Sequence, residues 1–389
     1  MHIKIKKTMI NHNNHIVHPC IPTKTNTINA QTFLEINASA FNHNIAYYKN
    51  LIGHHHQLAA VIKSNGYGHG LHHMAYLCQQ NDFVDWLLVM QLSEALALEN
   101  VTKPILILGY CDVSPEYAVG KNIHFMIDSL EYAHNLNSIG KKHSYQFNVH
   151  VKVDTGLSRM GLLTHEVLNF IKQLQQLDYL IITGIYSHFA ASDNNPEFTA
   201  QQYTEFTNTI ADLHANNIDI SNIHMSNSAA LSTISYQPYF NLFRIGIGIY
   251  GLGQDKCKLK PIMTWKTHIA NIKTIPAFSY VGYANSYQTK RITRIALLPI
   301  GYFDGYKFVF SNKTFVLING SYAPVIGRVA MNMTIIDITD IAAHINDEVI
   351  ILGPYPTINA HDLAHISDIT NVREILTGIN PALSRIITK

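Results

Sequence analysis

The sequence of 389 residues is poor in cysteine, lacks long apolar runs and has almost balanced charge. Cys20, Cys78, Cys111 and Cys257 are scattered without CxxC spacing, which argues against a zinc module and predicts a reducing compartment, the cytoplasm. No run of 18 apolar residues is present, so we predict no membrane partner. With 28 basic and 26 acidic residues and no basic stripe, we also predict no nucleic-acid partner.

The first 30 residues are rich in Asn, His, Lys and Thr and have no apolar stretch typical of a signal peptide. We expect residues 1–30 to form a poorly ordered extension. The rest of the chain is too long for one ordinary domain, so two domains are expected.

Histidine is abundant, with 23 residues. The run His54–His56 follows a helical pattern that should stop at Gly53, and a solvated loop is expected there. His69, His72 and His73 have no acidic residue at ligand spacing nearby, so no metal site is predicted.

Short apolar runs alternate with helical patterns between residues 31 and 255. The runs are Leu58–Ile62, Val84–Val89, Ile105–Leu108, Ile123–Met126, Val149–Val153, Ile181–Tyr186, Ile223–Met225 and Leu242–Ile245. Between them, Ser129 is a predicted N-cap, Thr199 a predicted helix start, and the apolar residues from Val167 to Leu177 follow the helical period. This alternation predicts an α/β fold with a (β/α)8 TIM-type barrel; a doubly wound sheet is the alternative.

From residue 256 to 389 helical periodicity fades and β-rich runs follow one another, which predicts a second, mostly β C-terminal domain. These runs are Thr267–Ile275, Ile292–Pro299, Thr314–Ile318, Tyr322–Ile326, Met333–Ile338 and Glu348–Leu352. Asn319-Gly320 between two of them is typical of a type I′ hairpin. Asn359 is the predicted N-cap of a short helix.

Lys63 ends the first apolar run and precedes a loop with three glycines. A lysine at the mouth of a strand loses hydration, which lowers its pKa and makes the amine nucleophilic. The glycines let backbone amides approach an anion closely. A solvated loop lysine is the alternative interpretation.

Polar residues also follow four later strands of the predicted barrel, where barrel enzymes place their sites. These segments are Lys152–Arg159, Ser187–Phe189, Ser226–Ala229 and Arg244–Gly248. Each has a structural alternative: an ion pair for Arg159 or Arg244, a buried ring for His188, a helix cap for Ser228. Their recurrence at one rim favours an active site.

Across residues 32–389 the chain resembles the alanine racemase family, which uses pyridoxal 5'-phosphate. The motifs that carry the resemblance occur in the family's order: Val61–Gly70, Lys152–Gly156, His188–Ala190, Asn227–Ala230, Arg244–Gly246, Val281–Tyr283, Pro299–Gly305 and Gly327–Met331.

The resemblance implies a role for each matching residue. Lys63 would hold the cofactor through its amine, and Arg244 would face the pyridine nitrogen and keep it unprotonated. Arg159 would contact the phenolic oxygen, and in many relatives the lysine matching Lys152 is carbamylated and braces that arginine. The remaining cofactor-binding residues would be Tyr67, His188, Asn227, Ser228, Gly246 and Ile247, with Tyr67, Ser228 and the last two amides at the phosphate.

The resemblance further implies that two bases act on opposite faces of a small amino-acid substrate. Lys63 would serve one face and Tyr283 of the other subunit the second, with His188 nearby, in a homodimer with shared active sites. Arg159, Tyr302 and Met331 would contact the substrate. The implied role is supply of D-alanine for peptidoglycan synthesis.

This chain departs from the family pattern at three places. Asn332 replaces the usual Asp, Pro381 stands where a phosphate-contacting Tyr is usual, and Ala284–Ser286 replaces a Gly-rich stretch. A serine or broad-specificity amino-acid racemase is therefore an alternative.

Three further alternatives remain open at this point. Non-enzymatic cofactor-binding barrels have the lysine but lack a β domain, and decarboxylases on this plan need an acid where Arg244 stands. A metal-dependent hydrolase needs His or Asp at strand ends that here carry Lys, Arg and Ser.

Overall fold

The computed structural model describes residues 31–233, 239–253 and 257–389. The predicted N-terminal extension, residues 1–30, lies outside the described residues.

Strands and helices alternate through the first part of the described chain. The strands are β1 (Phe33–Asn37), β2 (Gln57–Val61), β3 (Trp86–Val89), β4 (Ile105–Ile107), β5 (Ile123–Ile127), β6 (Phe147–Asp154), β7 (Leu162–Leu163), β8 (Leu180–Tyr186), β9 (Asn222–His224), β10 (Leu242–Ile245), β11 (Met263–His268), β12 (Asn271–Ile275), β13 (Thr293–Leu298), β14 (Phe315–Ile318), β15 (Ser321–Pro324), β16 (Thr334–Asp337), β17 (Glu348–Leu352) and β18 (Ser384–Thr388). The helices are α1 (Ala38–Ile52), α2 (Lys63–Tyr67), α3 (Leu71–Gln79), α4 (Leu92–Leu96), α5 (Leu130–His143), α6 (Val167–Leu174), α7 (Pro196–Ala215), α8 (Ser228–Thr233), α9 (Ala360–Ile366) and α10 (Arg373–Thr377).

The predicted barrel is present, and each predicted barrel strand is found within a few residues of its expected bounds. Its strands pair in the order β10-β2-β3-β4-β5-β6-β8-β9, all parallel. Between β9 and β10 the ladder is replaced by Asn241, whose side chain accepts from Ile223 N at 2.9 Å and donates to Ser221 O at 2.6 Å. Because β10 also pairs with β2, the sheet curls into a nearly closed barrel, and the doubly wound alternative is wrong.

The helices cover the barrel with their apolar sides. In α6 the buried residues Val167, Phe170, Ile171 and Leu174 recur at helical spacing and lie in the main core. The predicted N-cap at Ser129 is confirmed, since its side chain accepts from Tyr132 N.

The predicted start of α7 at Thr199 is wrong. The helix begins at Pro196, and the side chain of Asn195 caps it by accepting from Phe198 N. Asn followed by Pro at the first helical position is a stronger start than Thr199, because proline needs no hydrogen-bond partner for its nitrogen there.

The second domain is mostly β, as predicted. A six-stranded sheet has the order β15-β14-β17-β11-β1-β18, and β12-β13-β16 form a second sheet. Asn319 and Gly320 have φ of 49° and 79°, which confirms the type I′ turn. The predicted single run Thr267–Ile275 is wrong: it is divided between β11 and β12, which belong to different sheets.

Strand β1 was missed by the sequence analysis. It pairs antiparallel with β11 and parallel with β18, so residues near the start of the described chain lie in the C-terminal sheet. We therefore propose that the β domain includes β1 as well as residues from 256 onward. None of the described helices combines the length and the apolar character needed to span a bilayer.

Candidate active site

A cavity of about 500 Å³ opens at the carboxyl ends of the barrel strands. It is lined by every residue predicted to bind the cofactor: Lys63, Tyr67, Arg159, His188, Asn227, Ser228, Arg244, Gly246 and Ile247. Residues as far apart in sequence as Lys63 and Ile247 therefore meet in one cavity, because the carboxyl ends of β2, β6, β8, β9 and β10 share one rim.

Lys63 leads into a left-handed turn, the Lys63 turn, which forms the rest of the short element α2. Ser64, Asn65, Gly66 and Tyr67 have φ of 56°, 54°, 59° and 51° in succession. Residues with a Cβ avoid this region, so the surroundings have to hold the turn in place. Such strain is typical of functional sites.

Contacts from three directions hold the Lys63 turn. Glu94 accepts from Ser64 N at 2.7 Å, and the side chain of Asn65 accepts from Leu71 N at 2.9 Å. From the C-terminal segment, Arg385 donates to Gly68 O from Nε at 3.0 Å and from Nη2 at 2.9 Å. A Cβ on Gly68 would lie 2.1 Å from the carbonyl oxygen of Leu376, so α10 packs directly on the backbone here.

The Lys63 amine is partly withdrawn from water. Burial is the largest cause of its lowered pKa, the Arg159 charge lowers it further, and Glu94 acts in the opposite direction. More of this amine is unprotonated near neutral pH than for an ordinary lysine, as the sequence analysis predicted.

Arg244 is buried and donates to four acceptors. Nη2 contacts Ser187 O at 2.8 Å, Met225 O at 2.8 Å and His188 Nδ1 at 3.1 Å, and Nη1 contacts His224 Nδ1 at 2.6 Å. Burial lowers its pKa only to about 10, so the guanidinium stays charged at neutral pH.

The Arg244 contacts fix the protonation of the neighbouring histidines. Burial, and then the Arg244 charge, hold the pKa of His188 and His224 well below the ordinary value, so both rings are neutral. An arginine only donates, so His224 Nδ1 accepts and its Nε2 donates to His150 Nδ1 at 3.0 Å. The result is a directed chain of hydrogen bonds from the cavity into the barrel.

Lys152 is buried beside this cluster. Burial and then the Arg244 charge lower its pKa to about 7. Its amine donates to Val153 O at 2.7 Å and lies 5.3 Å from the ring centre of Tyr186. A lysine whose pKa lies this close to neutral pH has a reactive amine.

Small polar groups converge at one end of the cavity. Ser228 Oγ accepts from Gly246 N at 3.0 Å and from Gly248 N at 3.3 Å. A Cβ on Gly246 would lie 3.0 Å from the Tyr67 hydroxyl, so glycine there leaves the hydroxyl beside the backbone. The Tyr67 ring stacks on Tyr250 at 4.8 Å. Because Ser228 Oγ accepts from both amides, its own hydroxyl hydrogen can be donated to an oxyanion at this end of the cavity.

Two family models match almost the whole described chain. "Alanine racemase, N-terminal domain" matches residues 36–254, and "Alanine racemase, C-terminal domain" matches residues 262–387. The chain belongs to the alanine racemase family.

Individual alanine racemases are similar to this chain in sequence or structure over most of their length. Alanine racemase 2 of Caldanaerobacter subterraneus subsp. tengcongensis is 35% identical, over 91% of this chain and 94% of its own. Alanine racemase of Methanococcus maripaludis is 35% identical over 82% of this chain and 88% of its own. The solved structure of alanine racemase from Clostridium difficile 630 has a TM-score of 0.85 and 31% identity, covering 92% of this chain and 96% of its own.

Three residues predicted to act on the substrate do not line the Lys63 cavity. Tyr283, Tyr302 and Met331 are exposed, Tyr283 to 71%. They belong to neighbouring loops of the β domain: Phe303 N donates to Met331 O at 3.0 Å, and the loop before Tyr283 packs on Gly327. The single chain thus brings the predicted cofactor-binding residues together but leaves the predicted second base in solvent.

His224, Asp193 and Arg373 are among the residues at the site that the sequence analysis did not assign to it. His224 ends β9, inside the predicted run Ile223–Met225, so its position at a strand end was a usable signal. Asp193 and Arg373 line the cavity, whereas His224 lies behind it in contact with Arg244. Arg373 lies at the start of a short C-terminal helix, and nothing in the sequence near it points to the barrel.

Proposed function

We propose that this chain interconverts L-alanine and D-alanine with pyridoxal 5'-phosphate as cofactor. The observation that carries the proposal is the partly desolvated Lys63 amine, which lies in one cavity with Tyr67, Ser228 and Arg244. Membership in the alanine racemase family supports the same reaction.

The residues present fit this cofactor. A cavity of about 500 Å³ lies within the range of small-molecule sites. Its charged lining is mainly basic, with Lys63, Lys152, Arg159, Arg244 and Arg373 against Asp193. A phosphorylated ligand compensates such an excess of positive charge.

Each side chain has a distinct part in binding. Lys63 would hold the cofactor through its amine, and Arg244 would offer the pyridine nitrogen a donor that stays charged. Arg159 serves the phenolic oxygen. Tyr67, Ser228 and the amides of Gly246 and Ile247 would serve the phosphate, the Gly246 amide after leaving Ser228 Oγ, while His188 and Asn227 would border the ring.

The bound cofactor supplies an electron sink for the electron pair left on Cα after proton removal. Lys63 Nζ takes the proton from one face of Cα, and its lowered pKa makes the amine a base near neutral pH. Tyr283 of the partner subunit serves the other face through its hydroxyl. Tyr302 and Met331 are exposed in the β domain like Tyr283, and we place Tyr302 and Met331 of the partner subunit against the substrate, with Arg159 contacting it from within the cavity.

The Lys152 amine is proposed to react with carbon dioxide. Its unprotonated form is the nucleophile, and a pKa of about 7 makes that form abundant. The nitrogen bonds to the carbon of carbon dioxide and releases one proton to solvent, and the resulting carbamate is an anion among Arg244 and Arg159, whose charges act on Lys152.

A homodimer is proposed because the β domain exposes large apolar side chains. Among those at least half exposed are Phe278, Tyr280, Tyr283, Ile292, Phe303, Phe308, Met331 and Met333. Exposed apolar surface of this kind marks interaction sites. The proposed setting is the cytoplasm, where D-alanine would supply peptidoglycan synthesis.

The first test is the wild-type protein with pyridoxal 5'-phosphate. We expect the absorption band of a lysine-bound cofactor and loss of optical rotation of L-alanine. Lys63→Ala should lose both, whereas Lys141→Met, which removes an exposed cation from α5, should keep both. Full racemisation by Lys63→Ala would sink the proposal.

Serine or broader activity is the second candidate, because Asn332 and Pro381 depart from the family pattern. Racemisation rates for alanine, serine and a basic amino acid distinguish the two. A serine rate equal to or above that for alanine would favour the broader enzyme.

A further inference from the structure

We propose that Glu94 is a positioning residue for Lys63, because its carboxylate joins the backbone that follows the lysine to the end of the neighbouring barrel strand. The inference rests on the proposed function, since it gives Glu94 a part in the reactions of the Lys63 amine. Glu94 belongs to none of the motifs that the sequence analysis assigned to the site.

Glu94 uses both oxygens of its carboxylate to hold two neighbouring strand ends. Oε1 accepts from Ser64 N at 2.7 Å, and Oε2 accepts from Met90 N at 2.8 Å. Ser64 directly follows Lys63 after β2, and Met90 directly follows β3, the strand that pairs with β2. Hydrogen bonds from backbone amides to a carboxylate are charge-assisted and stronger than those to a neutral acceptor. One side chain therefore fixes the distance between the two strand ends.

The bridge through Glu94 lies just beyond the backbone pairing of the two strands. Ile62 N donates to Leu88 O at 2.8 Å, directly before Lys63. The chain then enters the left-handed Lys63 turn, and the Ser64 amide is directed to Glu94. Lys63 and Ser64 line the cavity, whereas Glu94 holds them from outside its lining. Glu94 thus places the lysine and does not touch the ligand.

The helix that carries Glu94 is itself anchored. The amide of Ser93 donates to Asp112 Oδ1 at 3.1 Å, and the Ser93 hydroxyl donates to the other oxygen of the same carboxylate. Leu92 and Ala95, which flank Ser93 and Glu94 in α4, are buried. Because these contacts hold α4, the Glu94 carboxylate keeps a fixed place relative to β2 and β3.

Glu94 also opposes the positive charge around the Lys63 amine. Arg159, after β6, and Arg373, in α10, lower the pKa of this amine, whereas Glu94 raises it. His188, after β8, is neutral, because burial and the nearby cations hold its pKa low. A base accepts a proton more readily when the pKa of its protonated form is higher. The Glu94 charge therefore helps Lys63 to remain a base while burial makes its amine reactive.

Two variants separate the place of the carboxylate from its charge. Glu94→Gln keeps the length of the side chain and removes the charge, and its NH₂ group cannot accept from a backbone amide. Glu94→Asp keeps the charge and shortens the reach. With pyridoxal 5'-phosphate bound, each variant should racemise alanine with a kcat about tenfold lower and a KM changed little, because a displaced base acts less well on Cα.

The pH dependence of Lys63 reactivity distinguishes a role of the charge from a purely structural one. Full-length protein freed of cofactor is mixed with pyridoxal, and the association rate is followed by the absorption of the lysine-bound form, with Lys63→Ala as the blank. This rate rises with pH as the amine loses its proton. In Glu94→Gln the rise should occur at lower pH than in wild type, because the charge that raises the pKa of the amine is gone. In Glu94→Asp it should occur at the same pH as in wild type.

Two further variants serve as controls. Glu99→Gln removes an exposed carboxylate shortly after α4 and should match wild type in kcat and in pH dependence. Ser93→Ala loosens the contact of α4 with Asp112 and keeps the Glu94 charge. It should lower kcat without a shift in pH dependence, and it tests the positioning role even if a Glu94 variant does not fold.

An unchanged kcat in either Glu94 variant would overturn the positioning role. A wild-type pH dependence in Glu94→Gln would overturn the role of the charge. Failure of the wild-type protein to bind pyridoxal 5'-phosphate or to racemise alanine would instead overturn the proposed function, so the failures are distinct.

Discussion

Lys63 and Lys152 are amines that the barrel withdraws from water, and burial is the largest cause of the lowered pKa of each. The cations around them act in the same direction, and acidic neighbours oppose the shift: Glu94 for Lys63, and Asp154 and Asp128 for Lys152. Because the ordinary lysine pKa is 10.5, the Lys152 amine changes its charge far closer to neutrality in the folded protein than in the unfolded chain.

The Lys152 pKa makes stability depend on pH. Between about pH 7 and the unfolded value of 10.5, the unfolded chain binds a proton that the folded protein does not. The free energy of unfolding therefore rises with pH in this window, and this contribution is lost as pH falls through about 7. In buffer free of carbon dioxide, urea midpoints should rise more from about pH 7 to about pH 9 for wild type than for Lys152→Met.

Lys141→Met is the control, because it removes an exposed amine from α5. Its urea midpoints should follow those of wild type over the same pH range. Parallel behaviour of wild type and Lys152→Met would contradict the assignment.

The Lys63 turn shows how elements rather than single residues build the site. Its four left-handed residues lie between β2 and α3, and α10 covers it from the far end of the chain. The turn depends on Gly68 for two reasons: a φ of 85°, and the close approach of the Leu376 carbonyl.

Replacement of Gly68 by Ala should weaken both stability and cofactor binding, because α10 would have to move away from the turn. Gly120→Ala is the matched control: its φ is 77°, and nothing lies within 4 Å of the added Cβ. That control should cost about 1 kcal/mol of unfolding free energy and leave cofactor affinity unchanged. We expect Gly68→Ala to cost clearly more and to weaken pyridoxal 5'-phosphate binding; equal effects would contradict the role of the close contact.

The sequence predicted helices, strands and turns best where a local rule determines their structure. The barrel strands are short buried apolar runs between helices, and the Asn319-Gly320 turn follows from the φ that each residue tolerates. Strand β1 was missed because its five residues FLEIN alternate only briefly, and its partners β11 and β18 are distant in sequence. The break between β11 and β12 depends on which sheet each joins, which local pattern does not show.

At the scale of the whole molecule, the positions of residues at strand ends predicted which of them line the cavity. The cavity residues that come from other parts of the chain depend on tertiary contacts. The residues after β2, β6, β8, β9 and β10 meet as expected for a barrel. Arg373 reaches the cavity only because α10 packs on the Lys63 turn, a contact that no spacing rule predicts. Tyr283 is exposed in the single chain, so its predicted role as second base requires a second chain.

Mixing two inactive variants tests whether sites are shared between chains. Lys63→Ala and Tyr283→Phe should each be inactive, yet a mixed dimer would have one site with both defects and one intact site. Equal amounts, after dissociation and reassociation, should recover about a quarter of wild-type activity if each site uses both chains. No recovery despite mixed dimers would show that Tyr283 serves the site of its own chain.

The contact between Arg385 and Gly68 also has a consequence for the order in which the protein is made. The two residues are 317 positions apart, and the parallel pairing of β18 with β1 closes a similar span. At about 5–20 residues per second, translation leaves the Lys63 turn without Arg385 for roughly 15 to 60 seconds. A nascent chain on the ribosome therefore has the cofactor lysine but not the segment that holds its turn. We expect cofactor capture to follow chain release, so that incomplete translation products do not sequester pyridoxal 5'-phosphate.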